Sequence, residues 1–302
     1  MEPPVSRDDV TVLAYKLASA VANVTPAPLL EFSTPTLALM FSQAMRAQRK
    51  MVERHQRRVK GPAASAVAVR LATQEAFENY ALYWMESFRL PSLSSADVRR
   101  RFTIDGWEYV RTGLDAGNGV ILSLPHLGSW EWAGRWLADQ NIAMTVVVEP
   151  LEPPELFEWF KDLRTKFGMN VVPLGADVAA KVLGGLRRNE VICLMSDRDL
   201  TGDGQSVQFF GERTTMPAGP AMLALRSGAP LLPCAVYTGR RGAHHAVVRP
   251  PLSADRSGNG LRADIARMTQ DLANELEVLI RRAPEQWHLF QPNWPSDPGY
   301  RF

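Results

Sequence analysis

The sequence predicts an α/β fold: a central mixed, largely parallel sheet flanked by helices, with a helical N-terminal portion ahead of it. Three observations predict it. Over residues 8–88 apolar side chains recur at three- and four-residue steps. From Gly117 onward short apolar runs alternate with amphipathic stretches. A long amphipathic segment, about 260–282, follows the last such run. With 302 residues, 46% of them hydrophobic, the chain can bury a substantial core as one large domain or two small ones. The division drawn here is 1–62, N-terminal helices, and 63–302, an α/β domain.

Taken in order, Val10, Leu13, Leu17, Val21 and Val24 mark a first helix over 8–24, with Asp8 and Asp9 at its start and Pro26 and Pro28 after it. A second pattern runs from about Thr36 to Val59. Its first half is apolar; its second carries Arg46, Arg49, Lys50, Arg54, Arg57, Arg58 and Lys60 against one acid, Glu53. Such a segment suits an anionic membrane surface, and equally a helix half packed and half solvated. Gly61-Pro62 breaks it, and 63–88 forms a third helix with an aromatic end. Strands are expected at 120–124, 144–148, 171–173, 191–195, 231–237 and 246–248. Helices are expected near 129–139, 154–167, 176–188 and 218–227. The tail, 284–302, rich in Trp, Phe and Pro, is expected to lie over the surface.

The net charge of +2 is too small to imply nucleic acid as a partner. Cys193 and Cys234, both in apolar runs, read as buried thiols of a reducing compartment. No stretch reaches the ~18 apolar residues of a membrane span. The N-terminus lacks the basic start and apolar core of a signal peptide. A soluble or surface-bound cytoplasmic protein is the expectation.

The chemically richest stretch is Gly119 to Gly134, where His126 and Glu131 stand five positions apart. Inside one helix that spacing would turn them about 140° away from each other. With Ser129 as N-cap, however, His126 lies in the turn before the helix and Glu131 in its first turn. The imidazole can then fold back on the carboxylate, giving a general base and its orienting partner. The plain alternative is a histidine ending a strand beside a solvated helix start. No G-x-S-x-G elbow supplies a nucleophile, so the simplest completion is a substrate hydroxyl deprotonated by His126.

Glu149 and the run Asp197-Arg198-Asp199 stand directly after apolar runs, where ligands bind in open α/β sheets. Phe209-Phe210-Gly211 joins an aromatic pair to a turn and suits an amphiphilic ligand, or an ordinary loop with a core Phe pair. The 197–208 run resembles a calcium loop but ends in Gln208 where a bidentate Glu is needed. His244-His245, expected in a surface turn, lacks a third metal ligand, and no metal site is expected. Nucleotide-binding glycine motifs are absent.

These blocks in this order resemble the lysophospholipid acyltransferase superfamily, in its lipid A late-acyltransferase branch. The resemblance rests on His126-x-x-x-x-Glu131, Arg164-Thr-Lys-Phe-Gly168, Asp197-Arg-Asp199, Phe209-Phe-Gly211 with Pro217-Ala-Gly219, and Leu232-Pro-Cys-Ala-Val236. Within that branch Leu124-Pro-His-Leu-Gly-Ser-Trp-Glu-Trp-Ala-Gly134 looks most like the actinobacterial phosphatidylinositol mannoside acyltransferases. The resemblance implies an acyltransferase using acyl-CoA as co-substrate (acyl carrier protein in related enzymes), with no bound cofactor. A mannose hydroxyl of a glycolipid would be the acceptor, and the protein would sit peripherally on the inner face of the plasma membrane. His126 and Glu131 would form the catalytic dyad. Backbone N–H groups at Gly128 and Ser129, with the Arg164 guanidinium, would hold the oxyanion. Glu149, Asp197 and Asp199 would hold sugar hydroxyls, with Arg198 structural or facing phosphate. The rival readings are an acyl-thioester hydrolase, acylation of a different glycolipid or lysophospholipid, and a non-catalytic lipid-binding protein.

Overall fold

The computed structural model describes residues 7–25, 27–150 and 152–301. The first six residues, and Pro26 after the first helix, lie outside them. The N-terminal portion is helical: α1 (Arg7–Val24), α2 (Ala27–Ala44), α3 (Arg46–Lys60) and α4 (Ala66–Arg89). Where periodicity over 36–59 reads as one helix, the backbone breaks at Met45 (φ −96°, ψ 57°), and α2 starts nine residues before Thr36. Then come α5 (Ser95–Arg101), β1 (Phe102–Asp105) and α6 (Trp107–Asp115), none of which has a periodicity long enough to read from sequence.

The alternating part matches expectation. It comprises β2 (Val120–Leu124), α7 (Trp130–Asp139), β3 (Met144–Val148), α8 (Pro154–Thr165), β4 (Met169–Pro173), α9 (Val178–Arg187) and β5 (Val191–Met195). A hairpin, β6 (Gln205–Phe209) and β7 (Glu212–Met216), precedes α10 (Gly219–Ser227), β8 (Leu231–Thr238), β9 (His244–Val248) and α11 (Leu261–Arg282). Seven strands form the main sheet in the order β1-β9-β8-β2-β5-β3-β4; only the β8–β9 pairing is antiparallel. His244 and His245 therefore open a strand and do not sit in a turn, and His244 is buried against Trp132.

Alternation along the strands splits the core into two layers. Leu122, Leu124, Cys234 and Val236 face α6 and α7, while Ile121, Ile192, Leu194 and Leu231 face α9, α10 and α11. Val120, Ile121, Val191 and Ile192 are fully buried, each contributing roughly 1.5–3 kcal/mol. This places β2 and β5 at the centre of the sheet. Their carboxyl ends, where the chain must leave the sheet, are thus held rigidly.

The tail lies on the surface only in part, and residues 286–289, 293 and 294 are buried. Trp287 and Trp294 are among the most buried side chains, packed on Phe209, Phe210 and α11. The hairpin turn at Phe210-Gly211 has both residues left-handed (φ 51° and 76°), the geometry that favours glycine at its second position. Phe210 tolerates it because its ring packs on Trp287 and its N–H donates to Glu277. The basic half of α3 is largely paired. Arg54 and Arg58 bind Asp297, Arg58 also binds Glu212, and its guanidinium sits 4.4 Å over Trp294.

Candidate active site

β2 and β5 are parallel neighbours with Leu124 opposite Met195. Two residues beyond each, the chains deliver His126 and Asp197 to one place. His126 Nδ1 lies 2.6 Å from Asp197 Oδ1, and the His126 backbone N–H donates to Oδ2 at 3.0 Å. An ionised carboxylate only accepts, so Nδ1 carries the proton and Nε2 keeps the lone pair. Asp197 is fully buried, whereas the His126 side chain is 31% exposed. Burial pushes the Asp197 carboxyl up. The positive charge the ring takes on when protonated, and hydrogen bonds from the ring, the His126 N–H and Trp287, outweigh that and hold it below the usual range.

Glu131, expected to orient the imidazole, does something else. It lies in the first turn of α7 as the spacing predicts, but Arg164 from α8 donates to its Oε1 through Nη2 at 2.6 Å and Nε at 3.1 Å. The Tyr83 hydroxyl from α4 donates to the same oxygen at 3.4 Å. A permanent guanidinium charge outcompetes a neutral imidazole for a carboxylate. Burial and the neighbouring Glu131 charge push the Tyr83 phenol well up, so it stays a donor.

Other expected roles shift too. The Gly128 N–H donates to Gln286 O and the Ser129 N–H to Val236 O, so neither is available for an oxyanion. Gly128 has φ +60°, and a Cβ there would run into the Val236 carbonyl, which restricts the position to glycine. The Ser129 hydroxyl does not cap α7; it donates to Glu86 and meets Thr238. Trp130 and Glu131 N–H, next along the helix start, donate to no other backbone group outside the helix among the described residues.

Asp199 spends its carboxylate on its own loop, accepting from the N–H groups of Thr201, Gly202 and Gly204. Phe209 and Phe210 pack into the core behind the hairpin, one layer behind the site, and Gly211 stands exposed in its turn. Arg198 pairs with Glu149 at 2.5 Å, joining the ends of β5 and β3.

His126, Glu131, Arg164, Glu149, Arg198 and Asp199 all line one cavity of about 480 Å³. From this polar mouth it runs beneath α7 over the sheet face carrying Leu122, Leu124, Val146, Cys193 and Met195, toward Trp107 and Trp136. Cys193 is half-buried in this wall, and burial pushes its thiol up to about 12, which keeps it protonated.

Sequence reasoning missed the tail residues. His288 N donates to His126 O at 2.7 Å, its Nε2 lies 3.3 Å from Gly128 O, and Trp287 Nε1 donates to Asp197 Oδ2 at 2.7 Å. Nothing in the sequence placed 286–288 near 126; a cluster of tryptophans with interspersed polar residues was the only sign. Burial lowers His288 to about 3 and His55, behind Trp287, to about 4. The unfolded chain then binds protons that the folded chain refuses, so stability rises with pH between about 4 and 6.5. The unfolding free energy read from urea titrations should fall steadily as pH drops from 6.5 to 4, by a total of a few kcal/mol. A flat profile over that window would contradict the burial of these neutral imidazoles.

An α/β sheet with a histidine–carboxylate pair at its carboxyl edge, beside an apolar slot, fits an enzyme whose base works on a substrate with a long apolar part. Residues 9–296 match the family described as bacterial lipid A biosynthesis acyltransferase, and the chain belongs to that family. It is 41% identical over 225 residues to the phosphatidylinositol mannoside acyltransferase of Mycobacterium tuberculosis, covering 73% of this chain and 69% of that one. Its identity to the protein of the same name from Mycolicibacterium smegmatis is 39% over 222 residues, covering 72% and 71%.

Proposed function

We propose that the protein transfers a long-chain fatty acyl group from acyl-CoA to a mannose hydroxyl of a phosphatidylinositol mannoside. One observation carries the reading: an imidazole whose Nδ1 is tied to a buried carboxylate lines, beside charged groups, the mouth of an apolar slot. Nε2 takes the proton of the acceptor hydroxyl as its oxygen bonds to the thioester carbonyl carbon. The tetrahedral oxyanion that forms is met by the N–H groups of Trp130 and Glu131 and by Arg164. Collapse breaks the C–S bond, and the thiolate takes the proton back from His126. Glu131 holds Arg164 in place for this. The Glu149–Arg198 pair at the rim engages the polar head of the acceptor, and the slot takes the acyl chain.

The names of the relatives support a glycolipid acceptor. Labelled acyl-CoA incubated with the purified protein and phosphatidylinositol mannoside tests the reading. Label should move to the glycolipid; label appearing only as free fatty acid, with or without acceptor, would overturn it in favour of a hydrolase. Unaltered acyl-CoA would point to a lipid-binding protein.

The inner face of the plasma membrane is the proposed place of action. No helix among the described residues is long and apolar enough to cross a membrane. Yet α1 and α2 expose Leu17, Val21, Phe32 (85%), Leu37 and Met40, and the adjoining Arg46 and Lys50 have no carboxylate partner among the described residues. That combination suits insertion into an anionic interface. Arg54 and Arg58 do not belong to this surface, because they hold the tail. Leu17→Asp with Phe32→Asp should lower partition into anionic vesicles severalfold without shifting Tm. Unchanged partition would remove α1 and α2 from the contact.

A further inference from the structure

We infer that Trp287 is a positioning residue for His126, acting through Asp197. The inference rests on His126 being the general base of the proposed transfer.

The two oxygens of Asp197 are unequal. Oδ2 accepts the Trp287 indole N–H at 2.7 Å and the His126 backbone N–H at 3.0 Å, which leaves Oδ1 alone for the imidazole at 2.6 Å. A carboxylate can rotate about its last bond, and two donors on one oxygen fix that rotation. The ring is then held in one tautomer with Nε2 turned outward. The indole is itself immobile: it is packed on Phe209 and Phe210, with His55 on its other flank. Its neighbours in the chain fasten the same loop, since Gln286 O accepts the Gly128 N–H and the His288 N–H binds His126 O. Farther along, the Asn293 amide donates to Asp197 O. The strap therefore holds both the base and its carboxylate from behind, and explains why a Phe-Phe pair distant from the slot bears on the site.

The charges around the pair are the Glu131–Arg164 ion pair, the Tyr83 hydroxyl and neutral His288 on the cavity side, with His55, Arg58 and Asp297 behind Trp287. The Trp287 indole N–H donates to Asp197 and to none of these groups, so removing the N–H alone leaves their pairing in place. Loss of the indole N–H concentrates negative charge on Asp197 and so favours the imidazolium.

The test compares wild type, Trp287→Phe, and a variant carrying benzothienylalanine at position 287, which keeps the bicyclic shape and lacks the N–H. For both variants kcat should fall roughly 10- to 100-fold, as for outer-shell partners elsewhere. KM for acyl-CoA should hold, and the acid limb of the pH–rate profile should move to higher pH. The far-downfield Nδ1–H proton resonance of His126, assigned by its absence in His126→Ala, should shift or vanish in both. An unchanged acid limb and resonance, whatever happens to Tm, would reduce Trp287 to packing and overturn the inference. So would wild-type kinetics in the benzothienyl variant. The resonance is read without substrate, so it stands or falls separately from the acyl-transfer reading, which fails if His126→Ala retains transfer.

Discussion

Replacing His126 by Ala should lower kcat/KM for acyl transfer by roughly 10²–10⁴-fold, the worth of a positioned general base. Fold and acyl-CoA binding should persist. The side chain is partly exposed on the cavity wall. The loop around it is held by backbone bonds from Gln286 and His288 that alanine leaves in place. In the proposed reading the acyl chain is gripped farther in, by the slot. The measurement is steady-state transfer alongside a melting curve and acyl-CoA titration. Activity within a few-fold of wild type would mean that the acceptor hydroxyl loses its proton elsewhere.

The second large effect separates two carboxylates that the sequence alone cannot tell apart. Asp197→Asn should cost a comparable 10²–10⁴-fold in kcat, for a reason of geometry. Two donors converge on Oδ2, so the asparagine carbonyl takes that place and its NH₂ group turns to Nδ1. Nδ1 must then accept, the ring proton moves to Nε2, and the base is blocked. Glu131→Gln should act differently. It leaves the buried Arg164 guanidinium without its counter-ion, and a broken buried pair costs about 3–5 kcal/mol. Lower Tm is expected, with kcat reduced through the loosened Arg164 but less than in Asp197→Asn. If Glu131→Gln abolished kcat while Asp197→Asn left it intact, the imidazole would be steadied by Glu131 after all.

Much of the fold was legible because the physics involved is local. A buried strand between helices leaves an apolar run bounded by turn residues, and β2, β3 and β5 fall on the expected positions residue for residue. β1, α5 and α6 lack such runs, and β6–β7 is a short hairpin whose Phe pair reads as an ordinary loop. The site was half legible. His126 and Glu131 do flank the start of α7, but local spacing shows which groups can meet and not which partner wins. Arg164, sixteen residues past β3 in the chain, decides for Glu131. Asp197 meets His126 because β5 slots in beside β2, past two intervening strands, and strand order is not written in periodicity. One trace of it was there: histidine and aspartate each stand two residues after a buried run. Trp287 reaches Asp197 from 90 positions away, across α10 and α11, and the tryptophan-rich tail does not say which residue it meets.

A structure with a non-cleavable thioether analogue of a long-chain acyl-CoA puts the whole account to the test at once. The alkyl chain should lie under α7 over Leu122, Val146 and Cys193, with the thioether linkage at the slot mouth about 3–3.5 Å from where an oxygen bonded to His126 Nε2 would sit. Density for the chain outside the slot, or a sulfur facing away from Nε2, would contradict it.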